Sequence, residues 1–225
     1  MKRTISGFAV IVALLGTPAL AAELSLKTPP PPAPVWSWTG FYVGINGGGA
    51  FGNSAWSTSV SSTGSFNTTG GVVGGTLGAN VQASHLVLGI ETDIDGSTIS
   101  GSTTRGGGCI PNCQTSDGWL GTTRGRLGYA WDRVLLFATG GAAYGDLKAT
   151  IPGVGTNTST QFGWTAGAGV EFALAQNWTA KVDYLYLNLQ NGSCTTVCVG
   201  APVMPIGVSF NANIVRGGIN FKFNP

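Results

Sequence analysis

From Trp38 to Phe223 apolar residues recur at alternate positions, the period of a β-strand whose successive side chains point to opposite faces. Eight segments carry the pattern, near residues 38–51, 70–82, 85–96, 118–130, 133–145, 161–173, 178–189 and 210–223. In the first, Phe41, Val43, Ile45 and Phe51 share one face, and Tyr42, Gly44, Asn46 and Gly48 share the other. The apolar face continues as Val73, Leu77, Ala79 and Val81, then as Leu86, Leu88, Ile90 and Ile94, then as Trp119, Leu127 and Tyr129. Further along it comprises Phe162, Trp164, Ala166, Ala168, Val170 and Phe172, then Trp178, Ala180, Val182, Tyr184 and Tyr186, and last Val215, Ile219, Phe221 and Phe223. The fifth segment (VLLFATGGAAY) is apolar on both faces, so its faces are not assigned by the pattern. Strands of about ten residues, apolar toward lipid and polar or small toward a lumen, are the signature of a transmembrane β-barrel.

The connections sharpen this expectation. Three are short, around Ala83-Ser84, Trp131-Asp132-Arg133 and Ala175-Gln176; four are long, over 52–69, 97–117, 146–160 and 190–209. Short and long alternate strictly, as do the periplasmic turns and outside loops of outer-membrane barrels. The pattern predicts an all-β fold, an eight-stranded antiparallel transmembrane β-barrel with short periplasmic turns and four longer extracellular loops. Trp38, Phe41, Tyr129, Trp131, Trp178, Phe221 and Phe223 fall near the predicted periplasmic rim, and Phe51, Trp119, Tyr144, Phe162, Trp164 and Tyr186 toward the other. Aromatic residues concentrated at two levels match the girdles of such barrels.

Composition supports a wall that need not face water. Charged residues make up 9% of the chain, against about 25% in soluble domains. Gly contributes 37 of 225 residues, which favours strands and tight turns over helices. Lys2 and Arg3 precede the apolar run Phe8–Leu15, and Ala19-Leu20-Ala21 follows Pro18, so residues 1–22 read as a signal peptide cleaved near Ala21 or Ala22. Without Lys2 and Arg3 the 11 Lys+Arg become 9, equal to the 9 Asp+Glu, and a neutral chain argues against a nucleic-acid partner. Residues 23–37, with Pro29–Pro34 (PPPPAP), read as a stiff periplasmic spacer, and 38–225 as the barrel.

Three stretches resemble a known family. Trp38-Thr39-Gly40-Phe41-Tyr42-Val43-Gly44-Ile45-Asn46-Gly47-Gly48 looks like the opening strand of the small alphaproteobacterial outer-membrane β-barrel proteins, the porin-family or outer-membrane immunogenic proteins. Leu136-Phe137-Ala138-Thr139-Gly140-Gly141-Ala142-Ala143-Tyr144-Gly145 is similar to that family's fifth strand, and Val215-Arg216-Gly217-Gly218-Ile219-Asn220-Phe221-Lys222-Phe223 to its closing strand. One departure is that Asn224 and Pro225 follow Phe223, where such barrels end on an aromatic residue. The resemblance implies residence in outer-membrane lipid, delivery by the barrel-assembly machinery, surface exposure, and a structural, permeability or immunogenic role. Some members are reported to bind haemin; the only histidine here, His85, falls on a predicted periplasmic turn, away from the surface.

The lumen-facing charges are the main chemical feature. Glu91, Asp93, Asp95, Glu171 and Asp183 supply five acids, and Arg124, Arg126, Lys181, Arg216 and Lys222 five bases. An eight-stranded barrel is just wide enough for side chains to fill, and isolated buried charge is very costly. These ten residues therefore read as a paired plug, with a narrow porin-like channel for small solutes as the alternative. Glu91, Asp93 and Asp95 could also bind Ca²⁺ or act in acid–base chemistry, but they lack an EF-hand loop and lie beside the Arg124 and Arg126 strand.

Cys109-x-x-x-Cys113 and Cys194-x-x-x-Cys198 lie in the second and fourth predicted outside loops. In an exported protein four cysteines read as disulfides, within or between these pairs, over a four-thiolate zinc site. Gly47-Gly48-Gly49-Ala50-Phe51-Gly52 matches G-x-G-x-x-G, but a polar loop follows instead of the helix that motif requires. With His85 on the opposite side, a Ser–His hydrolase has no base at the outer rim, so no catalytic residue, cofactor or metal is assigned. The lead expectation is a structural surface barrel; a loop-mediated surface binder, an adhesin or haemin-capture protein with a host or haemin ligand, stands beside it and the channel. A soluble periplasmic ligand barrel would need its apolar face inward.

Overall fold

The computed structural model describes residues 36–57, 62–105, 112–153, 155–194 and 206–223. The predicted signal peptide and most of the spacer lie outside them. Among the described residues nine strands form one sheet: β1 (Gly40–Ser57), β2 (Ser62–Ala83), β3 (Leu86–Ser97), β4 (Ser100–Thr103), β5 (Cys113–Trp131), β6 (Val134–Ile151), β7 (Gly155–Ala173), β8 (Trp178–Cys194) and β9 (Ile206–Lys222). Every pairing is antiparallel, and β1 pairs both β2 and β9, so the sheet closes on itself. Eight strands make the ring; the short β4 continues the line of β3, pairing Thr69 of β2 on one side and Cys113–Ser116 of β5 on the other. Closure leaves no unpaired edge strand among the described residues, as a sheet in lipid requires.

The wall is apolar outside and polar within. Ile45 is 71% exposed, Val73 70% and Phe162 69%, whereas Asp93 is 0% and Arg124 1%. A soluble protein has the reverse distribution, and a continuous apolar exterior of this extent marks a lipid-facing surface.

The periplasmic turns are as short as expected. Ser84-His85 and Asp132-Arg133 are two-residue connections between paired strands, and Ser84 and Asp132 adopt the left-handed backbone at φ 56° and 51°. Such hairpins need positive φ because their twist must match that of the strands.

The outside connections differ from the expectation in extent. The segments read as loops are largely strand: β2 begins at Ser62, β6 runs to Ile151 and β7 starts at Gly155. Their Ser- and Thr-rich composition reads as loop, but Thr has good strand propensity, and hydroxyl pairs such as Thr150–Thr156 (3.0 Å) bridge neighbouring strands. Where they are described, the four outside segments are thus extensions of the barrel wall.

Candidate functional site

Alternation carries Glu91, Asp93 and Asp95 into the lumen from β3, Arg124 and Arg126 from β5, Glu171 from β7, Lys181 and Asp183 from β8, and Arg216 from β9, all buried. Along the wall, Arg124 pairs with Glu91 at 2.6 Å and with Asp93, on the neighbouring strand. Across the lumen, Lys181 Nζ reaches Glu91 Oε2 at 2.9 Å, although β8 and β3 stand opposite each other in the ring. Arg216 ties three carboxylates together: Asp93 at 2.8 Å, Asp95 at 3.0 Å and Asp183 at 3.0 Å. Arg126 pairs with Glu171 and lies 3.8 Å from Glu91. Glu171 and Lys181 are register neighbours, yet each bonds elsewhere, so the network is organised across the lumen as well as along its wall.

Neutral groups complete the layer. Tyr42 donates to Glu91 at 2.8 Å and accepts from Arg126 at 3.2 Å. Thr76 and Thr122 donate to Asp93 at 2.7 and 3.0 Å. Asn220 donates to Glu171 at 2.9 Å, and Thr179 donates to the same oxygen. The Arg126 guanidinium lies 3.8 Å from the Phe137 ring centre, a stacked cation–π contact. Charged groups removed from water require partners, and each of these has at least one, although Asp95 Oδ1, Arg124 Nε and Arg126 Nε accept or donate no hydrogen bond among the described residues.

Lys222, expected in this network, stands apart. It is buried, but Nζ donates to the Ser37 carbonyl and sits 5.0 Å from the Trp36 ring centre, and no ion pair joins it to a described residue. It is the last residue of β9 and lies below the acid layer. The nearest carboxylate in charge terms, Glu171, already accepts from Arg126, Thr179 and Asn220.

Two apolar layers bound the charges. On the outer side Ala50, Trp56, Phe66, Val72, Ile99, Leu120, Leu147, Leu185, Leu187, Leu189, Phe210 and Ile214 belong to one buried cluster. On the periplasmic side Trp38, Val87, Ala130, Leu135 and Ala173 form a second, with Trp36 packed against it. Trp38 is therefore a lumen residue and not part of the rim girdle: it is 2% exposed, its backbone N–H donates to Gln82 Oε1 at 2.7 Å and its indole to the Asp132 carbonyl at 3.3 Å. The ambiguous fifth segment is resolved, with Leu135, Phe137, Thr139, Ala143 and Leu147 inward. Both its faces are apolar because its inward face serves these layers as well as the charged one.

Cys113 opens β5 with its side chain in the outer apolar cluster, and it is disulfide-bonded. This removes one thiolate from the zinc reading. Cys109 and Cys198, and the side chain of Cys194, lie outside the described residues. His85 sits in the first periplasmic turn, stacked on Tyr129 at 5.5 Å and hydrogen-bonded to the Ser84 hydroxyl at 3.1 Å.

The comparisons agree with this architecture. The outer membrane protein β-barrel domain matches residues 8–223. The chain is 39% identical to the 31 kDa outer-membrane immunogenic protein of Brucella melitensis over 239 residues, covering 96% of this chain and 98% of that protein. It is 30% identical to the 25 kDa outer-membrane immunogenic protein of Brucella abortus over 230 residues, with 98% and 100% covered. It is 35% identical to the 22 kDa outer membrane protein of Rhizobium leguminosarum over 162 residues, with 72% and 69% covered. Closed strand order, lipid-facing exterior, family match and relatives converge: the chain belongs to the outer-membrane β-barrel protein family and resides in the cell outer membrane.

Proposed function

We propose that this protein is a structural, surface-exposed element of the outer membrane whose lumen is closed by its own side chains, with no catalytic role. The observation that carries this reading is the stacking of three lumen layers, with Arg216 bridging Asp93, Asp95 and Asp183 between an outer and a periplasmic apolar cluster. An ion crossing such a lumen meets apolar side chains at both ends and fixed ion pairs between them, each a desolvation barrier. The name "outer-membrane immunogenic protein" borne by relatives in Brucella supports surface display. In this reading the barrel is an anchor for the strand extensions it presents outside.

Ion conductance in a planar lipid bilayer tests the proposal. The mature protein inserts and stays silent, with insertion verified by heat-modifiable migration on a gel. Discrete, reproducible openings would overturn the closed lumen and favour the narrow channel.

A further inference from the structure

The barrel keeps almost all of its charge off its outer wall. Eleven of its charged residues face the lumen, the ten named above and Asp117 of β5; Asp132 and Arg133 form a periplasmic turn, and Arg105 lies near the outer tips. Among the described residues that leaves Asp146 and Lys148, two positions apart on the outward face of β6. Two like-facing positions along one strand stand about 7 Å apart, and no ion pair joins these two among the described residues. Each feels the other's charge without closing an ion pair, so both keep hydrogen-bonding capacity for a partner from the surroundings.

Their height identifies the surroundings. Trp119, Tyr144 and Phe162 form a contiguous aromatic cluster on the outer girdle, with ring centres 6.2 and 6.5 Å apart. Asp146 and Lys148 lie two and four residues beyond Tyr144, about 5 and 10 Å further out along a tilted strand. That is the depth of lipid headgroups, above the acyl chains. Across the hairpin their register partners are Thr160 and Thr158, both exposed. Thr160 donates to Asp146 Oδ1 at 2.7 Å. Side-chain hydrogen bonds from Thr160 and Trp119 hold the Asp146 carboxyl below the usual carboxylate range. The patch therefore offers a carboxylate as acceptor, an ammonium as donor, hydroxyls that do either, and an indole edge. One cation beside one carboxylate gives no net positive charge, so a polyphosphate surface finds no clamp here. A ring bearing many hydroxyls finds a partner for each.

We propose that Asp146, Lys148, Thr158 and Thr160, set above Trp119, form a docking site for the sugar headgroup of an outer-leaflet glycolipid. Asp146 accepts from sugar hydroxyls and Lys148 meets a single anionic substituent on the sugar. The site continues the established lipid interface upward, which is why a lipid headgroup and not a free solute occupies it. The proposal rests on the orientation that places the strand extensions outside the cell, and not on whether the lumen is closed.

The test uses the full mature chain in detergent micelles, titrated with rough-type lipopolysaccharide and, separately, with phosphatidylglycerol. The wild-type protein binds lipopolysaccharide, and the D146N/K148A variant, still heat-modifiable on a gel, binds about tenfold more weakly, the loss expected for one charge-assisted contact. Neither protein discriminates in phosphatidylglycerol, which has the charge but no sugar. Unchanged lipopolysaccharide binding by the variant overturns the site, and so does an equal preference of the wild type for phosphatidylglycerol. A cysteine at the exposed β4 position, S102C, is labelled on intact cells by a membrane-impermeant maleimide. No labelling would overturn the orientation, and the docking site with it, independently of the binding result.

Discussion

Arg216 on β9 and Asp93 on β3 are 123 residues apart in sequence and meet across the lumen, Nη2 to Oδ2 at 2.8 Å. The same guanidinium reaches Asp95 and Asp183, so one side chain neutralises acids from two walls. Only a planar fork with several donors can do this. R216A leaves these carboxylates short of a cation and is expected to cost about 3–5 kcal/mol. R216K restores only part of it, since one ammonium cannot span all three. The urea midpoint of the protein in lipid vesicles measures both; a wild-type midpoint for R216A would mean that the bridge contributes nothing.

Lys181 and Lys222 are both buried lumen lysines, but only Lys181 has a carboxylate partner. K181M removes the Glu91 cation that comes from the far wall and leaves Arg124 as its close ion-pair partner, and is expected to destabilise by about 2–3 kcal/mol. K222M exchanges a carbonyl contact for a well-matched apolar stem and is expected to stay within about 1.5 kcal/mol of wild type. Equal losses in urea unfolding would contradict the separation of Lys222 from the network.

The apolar layers contribute packing and closure independently. Leu187 is fully buried in the outer layer and Trp38 nearly so in the periplasmic one. L187A and W38A should each cost about 2–5 kcal/mol, and each should remain silent in a bilayer because the other layers persist. A conducting W38A barrel would make Trp38 the sole seal.

Neighbouring glycines in β1 differ sharply in tolerance. A Cβ at Gly48 would overlap the Val215 carbonyl oxygen and the Arg216 Cα, backbone atoms that cannot swing away, whereas a Cβ at Gly49 meets nothing within 4 Å. G48A is therefore expected to lose about 1–3 kcal/mol or fail to close, and G49A to stay within about 0.5 kcal/mol. Heat-modifiable migration after refolding compares them; identical folding yields and stabilities would show that β1 and β9 can separate at Gly48.

Loss of the Cys113 disulfide should loosen the outer tips without opening the ring, which antiparallel ladders hold closed on every side. C113S is expected to lose about 2 kcal/mol, and reductant, which opens every bridge, should lower the wild type by at least as much. An unshifted melting profile in both would leave the bridge without a stabilising role. Peptide mapping of the oxidised protein distinguishes a Cys109 partner from one in the last outside segment.

The eight strands, their faces and the topology of turns were legible in the sequence because a side-chain period of two leaves its mark wherever one face meets lipid and the other does not. Glu91, Arg124, Asp183 and Arg216 were readable as lumen charges on the same ground. The inward polar groups Tyr42, Asn46 and Asn220 followed by parity, and parity would also have carried Leu185, Leu187 and Leu189 inward beyond Lys181 and Asp183. The expectation of a uniformly polar lumen hid that step. It also left β6 unassigned, since an apolar residue inside and one outside look alike in a sequence. The lengths of the outside segments were misjudged because Ser and Thr serve loop and strand equally.

By itself the sequence determined that this chain alternates, closes and sits in the outer membrane, since alternation and low charge are properties of each segment alone. Which acid meets which base is not such a property. Lys181 takes Glu91 from the far wall instead of its register neighbour Glu171, and Lys222 forms no ion pair among the described residues. Those pairings depend on the height of each side chain along the barrel axis and on which strands face each other across the lumen. Both are fixed only when the eight strands, staggered by their shear, close into a ring of definite width.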